Sequence, residues 1–215
     1  GGRARRGPFP PGARAARPPA RRAGPPLAIV SRPMPAPRPA PEEYLMGIAL
    51  AVRARANCTG QKVGAIIALD RRVVSTGYNG TPQDRPSCLA GGCVRCANRG
   101  ARLAAGTLYD LCICVHAEQN ALLSAARFGI GVAGGDLYTT TRPCFGCTKE
   151  LLQAGIRAVY FIHDWAHPDA DFRAQYERIQ ARFQGGIRRL AMVDPQAEWA
   201  TPRSTPPDTG HRIVD

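Results

Sequence analysis

The chain has 215 residues, enough for one ordinary domain with tails, and 44% of them are apolar, enough for a real core. The formal net charge of +13 points first to nucleic acid, but Gly1 to Pro41 holds nine Arg and no acidic residue, so the remainder carries only +4. That small excess disfavours a basic nucleic-acid groove in the folded part.

Residues 1–41 also hold twelve Pro, with Gly and Ala filling much of the rest, a composition that cannot bury enough surface to offset chain entropy. We expect a disordered Arg/Pro-rich tail, with a basic arm that binds nucleic acid as the alternative. Its longest apolar run, Leu27 to Val30, is too short for a signal-peptide core or a membrane span, and its prolines spoil the amphipathic helix of a transit peptide. The expected location is therefore cytoplasmic. The first residue is Gly, from which we expect a fragment or translated upstream sequence, with Met34 as a candidate start. With no secretory signal, eight cysteines in a reducing compartment suggest metal and not disulfides.

From Pro41 the pattern changes. Glu42 and Glu43 precede Tyr44, Leu45, Ile48, Ala49 and Val52, an apolar stripe at helical spacing that predicts a helix to about Ala56. Val63 to Leu69 and Val73 to Tyr78, separated by Asp70-Arg71-Arg72, predict a β-hairpin. Asn79-Gly80-Thr81-Pro82 closes it and opens a long loop with Cys and Gly to about Leu111. A second helix begins near His116 and presents Ala121, Leu122, Ala125 and Ala126 to the sheet. Then follow a strand at 136–140, a helix at 145–154, a strand at 157–162, a helix at 171–183 and a strand at 187–193, before a Pro-rich C-terminal tail at 194–215. Strands alternating with helices give an α/β layered domain.

Two stretches in this order carry chemistry: Cys112-Ile113-Cys114-Val115-His116-Ala117-Glu118 and Thr141-Arg142-Pro143-Cys144-Phe145-Gly146-Cys147. One imidazole and two thiolates, from His116, Cys144 and Cys147, make three ligands for a tetrahedral ion and leave a fourth corner open, as catalytic zinc sites do. Glu118 stands too close to His116 along the chain for both to reach one ion, so its role is that of proton carrier. Both donor groups sit at predicted helix amino termini, whose partial positive charge favours thiolates. Pro143 suits a first-turn position, having no N–H to waste. The paired His-x-Glu and Pro-Cys-x-x-Cys pieces match the known signature of zinc nucleobase deaminases.

Taken with the helix, the hairpin ending in Ser-Thr-Gly-Tyr-Asn-Gly-Thr-Pro and the cysteine-bearing loop, these pieces resemble the deoxycytidylate (dCMP) deaminase branch of the cytidine deaminase-like superfamily, over about Tyr44 to Ile162. The resemblance implies a three-layer α/β/α fold with a mixed central sheet of about five strands, a deaminase domain over 42–193 and conversion of dCMP to dUMP. Deamination of another cytosine or modified base, including one in nucleic acid, and a zinc-stabilised scaffold without activity stay open. It implies substrate contacts at Asn79, Ala117 and Arg127, oligomeric assembly and regulation by dCTP and dTTP. It also implies a second, structural zinc held by Cys58, Cys88, Cys114 and one of Cys93 or Cys96 (Cys96 preferred), with Cys112 the first candidate for a spectator. Family members tend to have a Tyr after the fourth strand that reaches the phosphate. This chain has Phe161-Ile162-His163-Asp164-Trp165 there, and an Asp is a poor neighbour for a dianion.

Overall fold

A computed structural model describes residues 38–98, 111–167 and 169–201. The expected N-terminal tail up to residue 37, part of the long loop at 99–110, and 202–215 lie outside them. The first helix, α1, is Pro41–Arg53. Its proline occupies the first helical position, where a missing N–H costs nothing, and Glu42 and Glu43 meet the positive end of the helix dipole. The helix therefore begins one residue before the expected domain boundary and stops three residues short of Ala56.

Strands β1 (Gly64–Leu69) and β2 (Arg72–Tyr78) form the hairpin. Asp70 and Arg71 make its two-residue turn at φ 47° and 62°, the backbone twist that suits a tight hairpin, here adopted without glycine. A one-turn 3-10 helix, Cys88–Ala90, and a short helix α2, Val94–Ala97, follow. The remaining elements are α3 (Ala117–Arg127), β3 (Asp136–Thr141), α4 (Phe145–Gln153), β4 (Ala158–His163), α5 (Ala170–Gln180), β5 (Ile187–Arg189) and a second 3-10 helix, Ala197–Ala200.

Among the described residues the five strands form one mixed sheet in the order β2-β1-β3-β4-β5. The β2/β1 and β1/β3 pairs are antiparallel, and β3/β4 and β4/β5 are parallel. Each parallel pair is joined through a helix, as a parallel connection requires. Strand β1 displays the layering, because successive side chains point to opposite faces. Ile66 and Ala68 join Leu45, Met46 and Ala49 of α1 and the stacked Tyr138 and Tyr160 on one face. Ala65 and Ile67 join Ala117 and Ala121 of α3, Leu151 of α4 and Phe183 after α5 on the other. The sheet is thus covered on both sides, and the expected three-layer arrangement is the observed one.

Four local expectations are corrected. Ala126 is exposed, because α3 turns its Ala117, Ala121 and Ala125 edge to the sheet and Ala126 falls on the next face. Pro143 lies outside α4, whose capping residue is Cys144. The last strand holds only three residues. Residues 194–201 do not form part of a loose tail: the Lys62 N–H donates to the Trp199 carbonyl at 2.9 Å, Gln61 Nε2 donates to the Ala200 carbonyl, and Lys62 Nζ stands 4.2 Å from the Trp199 ring centre. Among the described residues no helix is long and apolar enough to cross a membrane.

Candidate metal centre

Two helix starts converge at the end of the sheet. His116 caps α3 in extended backbone geometry, its N–H bonded at 3.0 Å to the side chain of Gln119. Cys144 caps α4 in the same way, and Cys147 follows in the first turn. His116 Nδ1 lies 3.4 Å from Cys144 Sγ and 3.4 Å from Cys147 Sγ, and the three donor atoms lie within 4.8 Å of one another. Tetrahedral zinc, with its ordinary bond lengths to nitrogen and sulfur, places such N and S ligands about 3.5 Å apart. The donors therefore fit zinc in chemistry and in spacing. Proton sharing within the trio has the same sense. Bonds from Cys147 and then from the imidazole bring Cys144 down to about 4 against the opposing effect of burial, and Cys144 in turn lifts His116 to about 9.

Glu118, in the first turn of α3 and 4% exposed, points inward. Its Oε1 accepts from Thr139 Oγ1 of β3 at 3.4 Å and its Oε2 from Cys147 Sγ at 3.7 Å. Burial raises this carboxyl to about 7. It thus sits against the donor trio without belonging to it.

The pedestal under the second helix start is α5. Tyr176 Oη donates to the Pro143 carbonyl at 2.6 Å, and Gln180 Nε2 donates to the same oxygen at 3.3 Å and to Thr148 Oγ1 at 3.2 Å. Gln119 Nε2 of α3 donates to Glu150 Oε1 of α4 at 2.9 Å, tying the two helices together. None of these pedestal residues stands out in the sequence, where the segment reads only as a helix at 171–183.

The expected substrate contacts separate. Ala117 is fully buried at the start of α3, beside the donors. Asn79 is buried, but its amide is committed to the neighbouring backbone: Oδ1 accepts from the Val63 N–H at 2.8 Å and Nδ2 donates to the Gln61 carbonyl at 2.7 Å. Arg127 ends α3, about 16 Å along the helix axis from His116 at 1.5 Å per residue, and donates to Gln83 Oε1 at 3.4 Å. It is not brought to the donor end. Asp164, expected to repel a phosphate, is paired with Arg142 Nη1 at 3.2 Å, so its charge is offset. Arg142 itself was missed as a feature, although it directly precedes Pro143-Cys144; its guanidinium lies 5.2 Å from the Tyr176 ring centre and its Nε donates to Gln180 at 2.8 Å.

A second cysteine assembly lies just upstream. Cys58, Cys88, Cys96 and Cys114 are all buried and have their sulfurs within 4.8 Å of one another. This is the set expected for a structural ion, with Cys96 beside Cys88 from the loop.

The model of the cytidine and deoxycytidylate deaminase zinc-binding region matches residues 39–163. The deoxycytidylate deaminase of Saccharomyces cerevisiae is 38% identical over 136 residues, which are 63% of this chain and 42% of that protein. The deoxycytidylate deaminase of Mycobacterium phage D29 is 39% identical over 129 residues, 58% of this chain and 95% of that one. The dCMP deaminase of cyanophage S-TIM5, solved in complex with dCMP and dUMP, superposes with a TM-score of 0.53 at 25% identity, covering 71% of this chain and 98% of that one. This chain spans about two fifths of the length of the deoxycytidylate deaminases of Saccharomyces cerevisiae and Schizosaccharomyces pombe, 42% and 37%. With a family match over more than half its length, centred on the elements that bring His116, Cys144 and Cys147 together, the chain belongs to the cytidine and deoxycytidylate deaminase family.

Proposed function

We propose that this chain hydrolytically deaminates a cytosine nucleotide, dCMP to dUMP, with His116, Cys144 and Cys147 holding a catalytic zinc ion and Glu118 moving the protons. The observation that carries the reading is the buried Glu118 carboxylate lying against a His-Cys-Cys donor trio. A proton carrier must be dry, close and held in one place, and Thr139 and Cys147 hold this one from two sides. When bound, zinc supplies Lewis acidity that makes water nucleophilic near neutral pH.

The remaining work falls to Glu118. Its carboxylate takes a proton from the attacking water as oxygen adds to C4 of the base, and delivers that proton to ring N3. A second proton passes through the same oxygen atoms to the exocyclic nitrogen. The C4–N4 bond then breaks and ammonia departs, leaving uracil. Substrate contacts at Ala117 and Asn79 belong to the same proposal. Asn79 would use the one N–H and one lone pair that its backbone clamp does not consume. Arg127, at the far end of α3, would act on a group far from C4.

A structural zinc on Cys58, Cys88, Cys96 and Cys114 completes the proposal, in a reducing cytoplasm where the eight free cysteines persist as thiols or thiolates. Oligomeric assembly and regulation by dCTP and dTTP extend it by family resemblance. The decisive experiment measures ammonia released from dCMP, dCTP, cytidine and single-stranded DNA. We expect turnover of dCMP, a loss of 10²-fold or more in Glu118→Gln, on the order of what general acid–base catalysis contributes, and full retention of zinc in that variant. Zinc loss in Glu118→Gln, or equal turnover of single-stranded DNA, would refute the assignment.

A further inference from the structure

The six cysteines outside the catalytic trio pack as one cluster, in which Cys58, Cys88, Cys93, Cys96 and Cys114 are buried and Cys112 lies against them. Two overlapping sets of four satisfy metal-ligand spacing: Cys58, Cys88, Cys96, Cys114, and Cys93, Cys96, Cys112, Cys114. They share Cys96 and Cys114. We propose that this cluster holds two zinc ions, with Cys96 and Cys114 as bridging thiolates and Cys58 with Cys88, and Cys93 with Cys112, as the terminal pairs. The proposal rests on the assignment of the first four as metal ligands and is independent of the deaminase reaction.

Three arguments converge. The first is ligand number: two four-coordinate ions need eight ligand positions, and six thiolates fill them when two are shared. The second is distance. Zinc–thiolate bonds of about 2.3 Å set the edge of a thiolate tetrahedron at about 3.8 Å. Cys58 Sγ to Cys96 Sγ, an edge of the first set, is 3.9 Å, and Cys93 Sγ to Cys112 Sγ, an edge of the second, is 3.8 Å. The third is charge. A single zinc with four thiolates carries two net negative charges. Adding a second dication while Cys93 and Cys112 each lose a proton leaves that total unchanged, so the second ion adds no buried net charge.

A mononuclear site would leave Cys93, 1% exposed, and Cys112 as packing thiols. Free cysteines do pack as small apolar groups, but that role does not require two of them to complete a second tetrahedron around already shared sulfurs. The expectation that Cys112 is a spectator is replaced by this reading. The cluster would also bear on the catalytic end. Cys114 stands two residues before His116, and the intervening Val115 exchanges backbone hydrogen bonds with Gly80 at 2.9 and 3.2 Å.

Metal analysis of the purified full chain, with cadmium-113 substitution, tests the proposal. We expect three zinc ions per chain, no iron, and two thiolate-only cadmium resonances split by coupling through the shared sulfurs. Cys112→Ser, at the half-buried terminal position, should release one ion and collapse the pair to one unsplit resonance. Two zinc ions per chain with a single thiolate-only resonance, unchanged in Cys112→Ser, would overturn the cluster, as would iron in place of zinc. The wild-type spectrum decides the matter even if the variant fails to fold. Absence of deamination in protein carrying three zinc ions would overturn the proposed function and leave the cluster standing.

Discussion

At Gly77 the sheet and the helix behind His116 approach as closely as backbones can. A Cβ there would sit 2.1 Å from the Ala117 carbonyl oxygen and 2.3 Å from the Ala121 nitrogen. Both are backbone atoms, so relief requires β2 and α3 to separate, and with them Glu118 and the donors. We predict that Gly77→Ala costs about 3 kcal/mol, the upper part of the usual overpacking range, and lowers deamination as well. Urea denaturation of the zinc-loaded protein measures the first effect, and an unchanged midpoint would refute the argument. In sequence Gly77 was legible only as part of a family stretch, because close approach depends on which helix packs over the strand. The same limit applies to Asn79, whose amide chemistry was legible while its partners across the chain, at Gln61 and Val63, were not. That His116, Cys144, Cys147 and Glu118 come together was readable because local spacing and helix starts, which each segment encodes by itself, present them to one point.

At the scale of elements, α5 supports a centre to which it contributes no donor. Its tyrosine and glutamine converge on one oxygen, the Pro143 carbonyl, which proline's ring keeps at the entrance to α4. Burial of the Tyr176 hydroxyl, reflected in a pKa raised above its ordinary value, makes that donor costly to lose. Tyr176→Phe removes one of two donors and is expected to destabilise the protein by about 1 kcal/mol. It should also accelerate zinc release to a chelator, since the turn that presents Cys144 is less firmly held. Stopped-flow chelation compares the rates, and equal rates would mean that Gln180 alone suffices. The hydrophobic pattern foretold the order and type of the main elements. It did not foretell that a polar helix edge, Tyr176 and Gln180, is buried against a loop, because buried polar groups declare themselves only through partners distant in sequence.

Across the whole molecule, the two ends of the described domain close on each other through a buried ion-pair network. Arg53, at the end of α1 and 0% exposed, makes two 2.6 Å bonds to Asp194, whose side chain is 2% exposed; His163, ending β4, lies 2.6 Å from Asp194 Oδ2, the oxygen that also accepts from Arg53 Nη1. The Arg53 side chain also lies 5.3 Å from the Trp199 ring centre. A separation of 141 residues between Arg53 and Asp194 explains why sequence patterning ended the domain at Val193: the prolines were visible, the partner was not. Removing one member of a buried pair strands the other, so Asp194→Ala should cost on the order of 3–5 kcal/mol. The pH dependence fixes the mechanism. Burial alone would raise the Asp194 carboxyl, but bonds from Arg53, from His163 and from the Gln196 N–H outweigh it and hold the group well below the usual carboxylate range. A carboxyl lowered on folding contributes stability that is complete above its unfolded value, about 3.9, and is lost as pH falls towards its folded value. Comparing wild type with Asp194→Asn cancels the acid release of metal common to both. The stability difference between them should shrink below about pH 4, where the unfolded chain's carboxyl takes up a proton that the native one does not. A difference that stays constant through that acid range would show that the network's contribution lies in packing and not in charge.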